Sequence, residues 1–244
     1  MHPIVSASAD DAFYGGELVD APSTNKSLES TVPDLPAAID QVLAQFEVTI
    51  PAEEKTQRVH YFVVNGVRRQ NSQTKSNVVI EHPYFFAKYL WPHLHKVFGD
   101  KFENEVYIIV AYKEAKKWWL TVIQAMMSKH QLPRSHFPTV MTIDVAQGHE
   151  ATMTVSDYST QAVEKKTDVG FIADYGQYNV GSTRARAVQW VLGGKCEGPY
   201  LTSAQKKGPG AVPIPVQYFN SCTANNQQTF TGFGPIDEDR LPWM

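Results

Sequence analysis

Short apolar runs alternate with stretches of helical hydrophobic spacing along the middle of the chain. Val59–Val64 is rich in β-branched and aromatic residues, and Glu105–Tyr112 is a nearly continuous apolar run, so both predict strands. Residues 83–98 and Lys113–Lys129 place apolar side chains at helical intervals, which predicts a helix after each strand. Strands and helices that alternate in this way are typical of an α/β fold with a parallel sheet covered on both faces.

The alternation continues towards the carboxyl terminus. Residues 138–143 and Thr152–Ser156 predict two more strands. Asp174–Ala187 predicts a helix that leads into a last strand, Val188–Leu192. Asn77–Glu81 is compatible with either a short strand or the entry of a helix.

The two ends of the chain lack this pattern. Residues 1–55 combine small polar residues with turn signals and one predicted helix, Pro36–Phe46, and form an irregular entry segment. From Cys196 the periodicity stops, and the last 49 residues hold 6 of the 15 prolines. We therefore expect residues 196–244 to be mostly disordered, with a short docked segment at Val216–Phe219.

Charge and cysteine content narrow the functional classes. The chain has 22 Lys+Arg and 25 Asp+Glu, a formal net charge of -3, so any nucleic-acid binding must be local. No apolar run approaches the ~20 residues of a membrane helix, and the first twenty residues have no basic start or apolar core. Cys196 and Cys222 allow at most one disulfide and cannot form a four-ligand zinc site alone. We expect an intracellular protein, cytoplasmic or nuclear, without a membrane partner.

Common nucleotide and hydrolase motifs do not occur in the sequence. The Gly-Gly-Lys at 193–195 is followed by Cys196, so the chain has no Gly-x-x-x-x-Gly-Lys-Ser/Thr P-loop. Neither Gly-x-Gly-x-x-Gly nor Gly-x-Ser-x-Gly is present, and the Asp-Glu-Asp at 237–239 lies in the tail. These absences weaken dinucleotide-enzyme and esterase interpretations.

The richest cluster of polar residues lies between positions 142 and 186. Residues 142–150, Thr-Ile-Asp-Val-Ala-Gln-Gly-His-Glu, directly follow a predicted strand, at the carboxyl edge where α/β sheets bind ligands. Residues 179–186, Asn-Val-Gly-Ser-Thr-Arg-Ala-Arg, lie on the predicted helix. Ordinary alternatives exist, because an Asp after a strand is often a helix cap and such an arginine helix is ordinarily a solvated face.

These two segments resemble motifs V and VI of superfamily 1 helicases, especially the superfamily 1B group that includes the RNA helicases of nonsense-mediated decay. That group's patterns run roughly as Val-Asp-x-x-Gln-Gly-x-Glu and Asn-Val-Ala-Leu-Thr-Arg-Ala-Arg. Val110–Lys113 resembles motif IV, and Gly170–Asp174 resembles the segment that enters motif VI. Met1–Ile4 and Phe13–Leu18 resemble the family's segment that begins Arg-Met-His-Pro. The resemblance covers residues 1–195.

The resemblance implies the second RecA-like lobe of such a helicase, without the first. The entry segment would then be residues 1–55, the RecA-like carboxyl-terminal helicase domain residues 56–195, and the tail residues 196–244. In these helicases ATP lies between two lobes. The first lobe supplies the P-loop lysine and the magnesium-binding acid, and the second supplies an arginine finger and part of the nucleic-acid track.

Each residue that matches a family motif inherits an expected role. Arg184 matches the arginine finger, which stays charged and can donate to the γ-phosphate oxygens. On a helix, Arg186 would lie about 200° from Arg184, so it is assigned a supporting role. The remaining matches are Tyr112 as the aromatic that stacks on adenine, Glu150 as the acid near the ribose and phosphates, Gln147 and Gly148 as the link between nucleotide and nucleic acid, and Thr142 and Asn179 as nucleic-acid contacts.

Several positions depart from the family pattern. Ala115 and Lys116 stand where Gln and Arg follow the motif IV aromatic, and a Lys cannot reproduce a bidentate guanidinium contact. Thr152 replaces an acid. Gly181-Ser182 replaces better helix formers, at a cost of about 1 kcal/mol for the glycine. These changes indicate an eroded nucleotide edge.

Other candidate residues carry weaker signals. His93 and His95 fall on opposite sides of a predicted helix, so no metal site is expected there. One of Trp118 and Trp119 is expected in the core. The three lysines of the following helix form a local basic cluster that is either a solvated face or a phosphate contact: Lys113, Lys116 and Lys117.

These observations predict a lobe related to ATP-driven translocation on single-stranded DNA or RNA. Its cofactors would be ATP and magnesium, used only if a first lobe is supplied in cis or in trans. The chain alone should not hydrolyse ATP. Two alternatives stay open: a non-catalytic module that binds nucleic acid or protein, and a fragment of a longer helicase.

Overall fold

A six-stranded parallel sheet forms the centre of the molecule. The computed structural model describes residues 1–10, 14–46, 57–163, 166–168, 174–195, 200–201 and 214–237. The strands are β1 (Val59–Val63), β2 (Arg68–Gln70), β3 (Asn77–Val79), β4 (Val106–Val110), β5 (Thr139–Thr142), β6 (Ala151–Asp157), β7 (Gln161–Val163), β8 (Lys166–Asp168), β9 (Ala185–Gly193), β10 (Tyr200–Leu201) and β11 (Gln228–Phe230). The main sheet has the order β11-β1-β9-β6-β4-β5 with every pair parallel. The predicted α/β, RecA-like fold is confirmed.

Helices surround this sheet. They are α1 (Pro3–Ala9), α2 (Leu28–Thr31), α3 (Leu35–Ala44), α4 (Glu81–Phe85), α5 (Trp91–Phe98), α6 (Phe102–Glu105), α7 (Lys113–His130), α8 (Ile143–Ala146), α9 (Tyr175–Ser182) and α10 (Ile214–Ala224). A π-helical segment, Phe86–Leu90, joins α4 to α5. In the described part of the chain, no helix is long and apolar enough to cross a membrane.

The sheet separates two hydrophobic clusters, and strand β1 contributes to both. Its side chains alternate between the faces, so Phe62 packs into one cluster while Tyr61 and Val63 pack into the other. All five residues of β1 are buried. This explains why β1 and β4 are largely apolar at consecutive rather than alternate positions.

The pattern of apolar residues in the sequence also accounts for helix α7. Its buried residues recur at helical intervals and face the core: Ala115, Trp119, Val122, Ile123 and Met126. The helix ends at His130, and the next residue, Gln131, caps it in a left-handed conformation with φ 54°. Trp119 is 1% exposed, which confirms that one of the two adjacent tryptophans belongs to the core.

The predicted helix over 174–187 is wrong in its second half. Helix α9 ends at Ser182, and Ala185 already pairs with Ala151 of strand β6. Arg184 therefore lies between the helix and strand β9, and Arg186 lies inside the strand. Alanine and arginine favour helices locally, but pairing with strands on both sides overrides that preference. The expected 200° separation of the two arginines does not apply.

The docked segment expected at Val216–Phe219 is present within helix α10, and the described residues 214–237 have more regular structure than a mostly disordered tail would have. Helix α10 buries Val216, Tyr218, Phe219 and Cys222 against the sheet, and β11 adds a strand beside β1. Tyr61 packs edge-on against Phe219 at 5.1 Å between ring centroids. The sequence predicts the docked segment, but the proline-rich and polar residues around it give no signal for the rest of the helix or for strand β11.

The entry segment has more regular structure than expected. The predicted helix Pro36–Phe46 is present as α3, and α1 and α2 precede it. The side chain of His2 accepts a hydrogen bond from the Ile4 amide at the start of α1. The His2 amide donates to the carbonyl of Arg186 at 2.8 Å, which attaches this segment to the start of β9.

Both alternatives for Asn77–Glu81 are partly correct. Residues 77–79 form β3, which pairs antiparallel with β2, and α4 begins at Glu81. Gly66, in the connection between β1 and β2, permits this packing, because a Cβ at this position would collide with Val79 and with Glu81. The hairpin that results, residues 68–79, lies beside the carboxyl end of the sheet.

Candidate functional site

The predicted site residues divide between two opposite edges of the sheet. All six main strands run in one direction, so one edge carries every amino end and the other every carboxyl end. Strand β6 marks the separation, because its six residue steps from Ala151 to Asp157 span about 20 Å. The Ala151 amide donates to the Arg184 carbonyl at one end, and the Ala111 amide donates to the Asp157 carbonyl at the other.

A groove of about 800 Å³ lies at the carboxyl edge. Its described lining comprises Thr74, Lys75, Ser76, Ala111, Tyr112, Lys113, Glu114, Lys116, Lys117, Leu120, Thr142 and Asp144. Tyr112 follows strand β4, and Thr142 ends strand β5, so neighbouring parallel strands bring them to the same groove. The structure therefore brings Tyr112 together with Thr142 and separates it from Arg184 by the length of a strand.

The described lining of this groove is basic. It contains four lysines and two acids, and one of the acids, Glu114, lies 3.7 Å from the ammonium of Lys117. Lys75, Lys113 and Lys117 are exposed to solvent. A chain with a net charge of -3 thus concentrates positive charge at one edge.

A buried polar network supports this edge from beneath. Asp157, which ends β6, accepts hydrogen bonds from His82 Nδ1 at 2.7 Å, from Trp119 Nε1 at 2.7 Å and from the Ser159 amide at 2.9 Å. The side chains of both His82 and Asp157 are inaccessible to solvent. Burial raises the pKa of the Asp157 carboxyl, but the charge of His82 and these donors outweigh it and hold the pKa below its ordinary value.

The amino edge collects the other predicted residues. Gln147, Gly148 and Glu150 are exposed in the loop that leads into β6. Gly148 has φ +83°, a left-handed conformation in which other residues are strained. Glu150 and Arg184 immediately precede the paired residues Ala151 and Ala185, so they lie at the same level of the sheet.

The two arginines have different surroundings. Arg184 is half-buried, and its Nη2 donates to Thr183 Oγ1 at 2.7 Å. Among the described residues no carboxylate pairs with Arg184, and its buried Nε has no hydrogen-bond partner. Arg186 instead donates to Glu105 Oε2 at 3.1 Å and to Thr152 Oγ1 at 2.9 Å. Arg186 is therefore held by contacts within the fold, whereas Arg184 has no described carboxylate partner.

A smaller cavity of about 220 Å³ adjoins Arg186 at this edge. Its described lining is Met1, His2, Ser23, Thr24, Lys26, Thr31, Arg58, Glu150, Arg186 and Ala187. Arg58 is fully buried and donates to the carbonyls of Ala187 and Lys26. The cavity brings the motif V acid, Glu150, next to the start of β9.

Asn179 lies away from both cavities as their described linings define them. It sits on α9, where its Nδ2 donates to the Tyr14 hydroxyl at 3.2 Å. Its carbonyl accepts hydrogen bonds from the Thr183 amide and hydroxyl, at 3.1 and 2.7 Å. These contacts terminate the helix just before Arg184, and a nucleic-acid contact for Asn179 stays a prediction.

The histidines do not assemble a metal centre among the described residues. His93 contacts Gln41, and His95 Nε2 lies 2.9 Å from His136 Nδ1. Burial lowers the pKa of His95, as do His136 and His130. In the described part of the chain, no group of three or more His, Cys, Asp or Glu side chains could hold a metal ion.

Comparison with known proteins shows the family. Residues 1–196 match the model of a family described as the AAA domain. The chain belongs to this AAA domain family. It is also similar to Helicase SEN1 of Saccharomyces cerevisiae, with 27% identity over 199 residues that cover 79% of the chain. The match covers 8% of the yeast protein, so the chain spans a small part of that helicase's length. This AAA domain is a superfamily 1B helicase-like domain, similar to the nonsense-mediated decay and Sen1 group, as the motifs predicted.

The sequence patterns do not indicate that the β2–β3 hairpin of this AAA domain contributes to the carboxyl-edge groove. Thr74, Lys75 and Ser76 line the carboxyl-edge groove, but they lie outside the recognised motifs. Their polar composition predicts only a turn. The segment Gly170–Ala173, which resembles the entry to motif VI, and Phe13 of the amino-terminal motif lie outside the described residues.

Proposed function

We propose that this AAA domain acts as the second RecA-like lobe of a superfamily 1B helicase. In this proposal single-stranded nucleic acid binds the carboxyl-edge groove, and the amino edge faces ATP held by a first lobe. The observation that carries the proposal is the groove itself, in which Tyr112 and Thr142 lie among four lysines. Family membership supports the same function.

The lining residues suit a nucleic-acid backbone. Lysine ammonium groups and the Thr142 hydroxyl can donate to phosphate oxygens, and Tyr112 offers an aromatic face to a base. The described lining residues include no Asn, Gln or Arg, and we assign the groove's lysines to backbone phosphates rather than to base edges. We therefore assign Tyr112 to base stacking rather than to adenine stacking, and we expect binding without sequence preference.

The amino edge suits the phosphates of ATP. ATP bound with magnesium supplies the γ-phosphoryl group whose transfer to water drives translocation. No described carboxylate pairs with Arg184, which leaves its guanidinium charge to pair with an anionic phosphate. Glu150, from the motif V loop, lies at the same level of the sheet as Arg184, and Gln147 belongs to the same loop. Arg186 ties β9 to the end of α6 through Glu105 and thereby helps to position the neighbouring Arg184.

ATP hydrolysis by these 244 residues alone is not expected, because the sequence contains no P-loop. The test uses the purified chain with ATP, magnesium and an oligonucleotide. Background rates that are equal for the wild type and for Arg184→Ala support the proposal. ATP turnover by the wild type that Arg184→Ala abolishes would contradict it.

Binding is measured by fluorescence anisotropy with fluorescein-labelled U12 and dT12. The wild type should bind both, and affinity should fall as salt rises, with a log-log slope of about -0.7 for each phosphate contacted. Lys116→Ala should weaken binding, and Lys129→Ala, at the far end of α7, should not. A wild-type chain that binds neither probe at low salt would contradict the proposal.

A non-catalytic nucleic-acid-binding module is the second candidate. At the amino edge Thr152, in place of an acid, contacts both Glu105 and Arg186. This substitution favours a lobe whose nucleotide edge has taken on a structural role. Oligonucleotide binding that does not change when ATP and a separately supplied first lobe are added would favour this candidate.

A further inference from the structure

The tip of the β2–β3 hairpin, residues 71–76, docks onto the amino end of α7. The Glu114 amide donates to Ser76 Oγ at 3.0 Å, and Asn71 Nδ2 donates to Glu114 Oε2 at 3.4 Å. Tyr112, the N-cap residue of α7, makes no side-chain capping bond. Ser76 therefore caps the helix from a separate element, so the tip and the start of α7 form one unit.

Internal hydrogen bonds fix the shape of the tip. Asn71 Oδ1 accepts from the amides of Gln73 and Thr74, both at 3.0 Å, and the Asn71 carbonyl accepts from the Lys75 amide at 2.9 Å. Lys75 adopts φ 57°, a left-handed conformation that glycine or asparagine would adopt more easily. A strained position in the groove wall thus carries a long, exposed, positively charged side chain.

The base of the hairpin is anchored as well. Glu81 is fully buried, and it accepts from Arg69 Nη1 at 3.3 Å and from the Val67 amide at 3.3 Å. The Ile236 amide donates to the same carboxylate at 3.1 Å. The hairpin is held at both ends, so Lys75 projects from a preorganised support rather than from a loose loop.

We propose that the hairpin tip is a second wall of the nucleic-acid groove and that Lys75 binds a backbone phosphate of single-stranded DNA or RNA. The inference rests on the proposed function and extends it to a segment outside the helicase motifs. Ammonium groups then reach the groove from two elements, Lys75 from the hairpin and Lys113, Lys116 and Lys117 from α7. Because Ser76 connects these elements, the tip also keeps Tyr112 in place for base stacking.

The test compares Lys75→Gly, Lys75→Arg and wild type in the full chain, with U12 and dT12 as probes. Lys75→Gly removes the ammonium and suits the left-handed backbone, so the variant should fold at least as well as wild type. Loss of one phosphate contact should lower affinity roughly eightfold at about 50 mM salt and reduce the salt slope by about 0.7. Lys75→Arg should keep affinity and slope.

The controls separate this inference from the proposed function. Lys129→Ala removes one exposed lysine at the other end of α7 and should leave binding unchanged. Suppose that Lys75→Gly binds with wild-type affinity and salt slope while Lys116→Ala binds more weakly. The hairpin inference is then wrong, but the proposal that the groove binds nucleic acid is still supported. If the wild type binds neither probe, the proposed function is wrong, and the inference is wrong with it. A loss confined to U12 or to dT12 supports the inference and shows which backbone Lys75 selects.

Discussion

Replacing Asp157 by Asn should strongly destabilise the fold at neutral pH. The Asp157 carboxylate is fully buried, pairs with His82 and accepts hydrogen bonds from Trp119 and from Ser159. Asparagine has almost the same shape, but it removes the negative charge and places an amide donor among groups that donate. The variant therefore leaves buried donors unsatisfied without creating a large cavity.

The expected magnitude follows from the burial of the pair. Breaking a buried ion pair by removing one partner costs about 3–5 kcal/mol, because the remaining group stays buried without compensation. For a domain of this size each kcal/mol lowers the melting temperature by roughly 2–4 °C. We expect Asp157→Asn to melt roughly 6–20 °C below wild type at pH 7. Asp100→Asn, an exposed control, should change the free energy of unfolding by less than about 0.5 kcal/mol.

The pH dependence gives a second, independent readout. The pKa of Asp157 is lower in the folded protein than in the unfolded chain, where it is about 3.9. The ionised Asp157 carboxylate therefore stabilises the fold fully at pH values above about 3.9. That stabilisation is lost as the pH falls through the lower folded-state pKa. Chemical denaturation at several pH values should therefore show a wild-type advantage at pH 7 that shrinks below about pH 4. Equal stability of wild type and Asp157→Asn at pH 7, or a difference that does not change with pH, would refute this reasoning.

Three further substitutions test local features of the two edges. Gly148→Ala should lower the free energy of unfolding by about 1–2 kcal/mol in denaturant titrations, because φ +83° strains any residue with a Cβ; an unchanged midpoint would contradict this. Ser76→Ala should cost about 1 kcal/mol by removing the cap on the Glu114 amide, whereas Ser72→Ala, elsewhere on the same tip, should be neutral. Tyr112→Ala should weaken oligonucleotide binding by about 1–3 kcal/mol if one base stacks on it, and Tyr112→Phe should restore binding; equal loss in both variants would contradict a stacking role.

Strands with strong local patterns could be predicted from the sequence. Val59–Val64 and Glu105–Tyr112 are largely apolar on consecutive residues because the sheet buries both of their faces. In Thr152–Ser156 apolar and small polar residues alternate, and all of them are buried. The apolar residues of helix α7 recur at helical intervals, so the sequence predicts this helix. In these segments local preference and tertiary packing agree, so the observed elements differ from the predicted ones by only a few residues at their ends.

The errors occur where long-range contacts decide the structure. Residues 183–186 favour a helix by composition, but the pairing of Ala185 with Ala151 places the chain in a strand. The sequence indicates only the segment Val216–Phe219, whereas the full helix α10 and strand β11 depend on their packing on β1, because proline and polar residues dominate their surroundings. Local pattern carries no information about either partner.

In the candidate site, too, some features follow from local sequence and others depend on long-range contacts. Arg184, Glu150 and Thr142 are candidates because their segments resemble family motifs, and such a resemblance is carried by neighbours in sequence. The grouping of Tyr112 with Thr142 rather than with Arg184 requires the strand order, since parallel strands separate their two ends. Lys75 could not be predicted, because only the docking of the hairpin onto α7 brings it to the groove.

Photo-crosslinking tests the central claim most directly. A 12-mer that contains 4-thiouridine is irradiated with the full chain, and the crosslinked peptides are identified by mass spectrometry. The proposed function predicts crosslinks within residues 71–76 and 112–120 at the carboxyl edge, lost in high salt. Crosslinks confined to residues 147–150 and 184–186 at the opposite edge would contradict it.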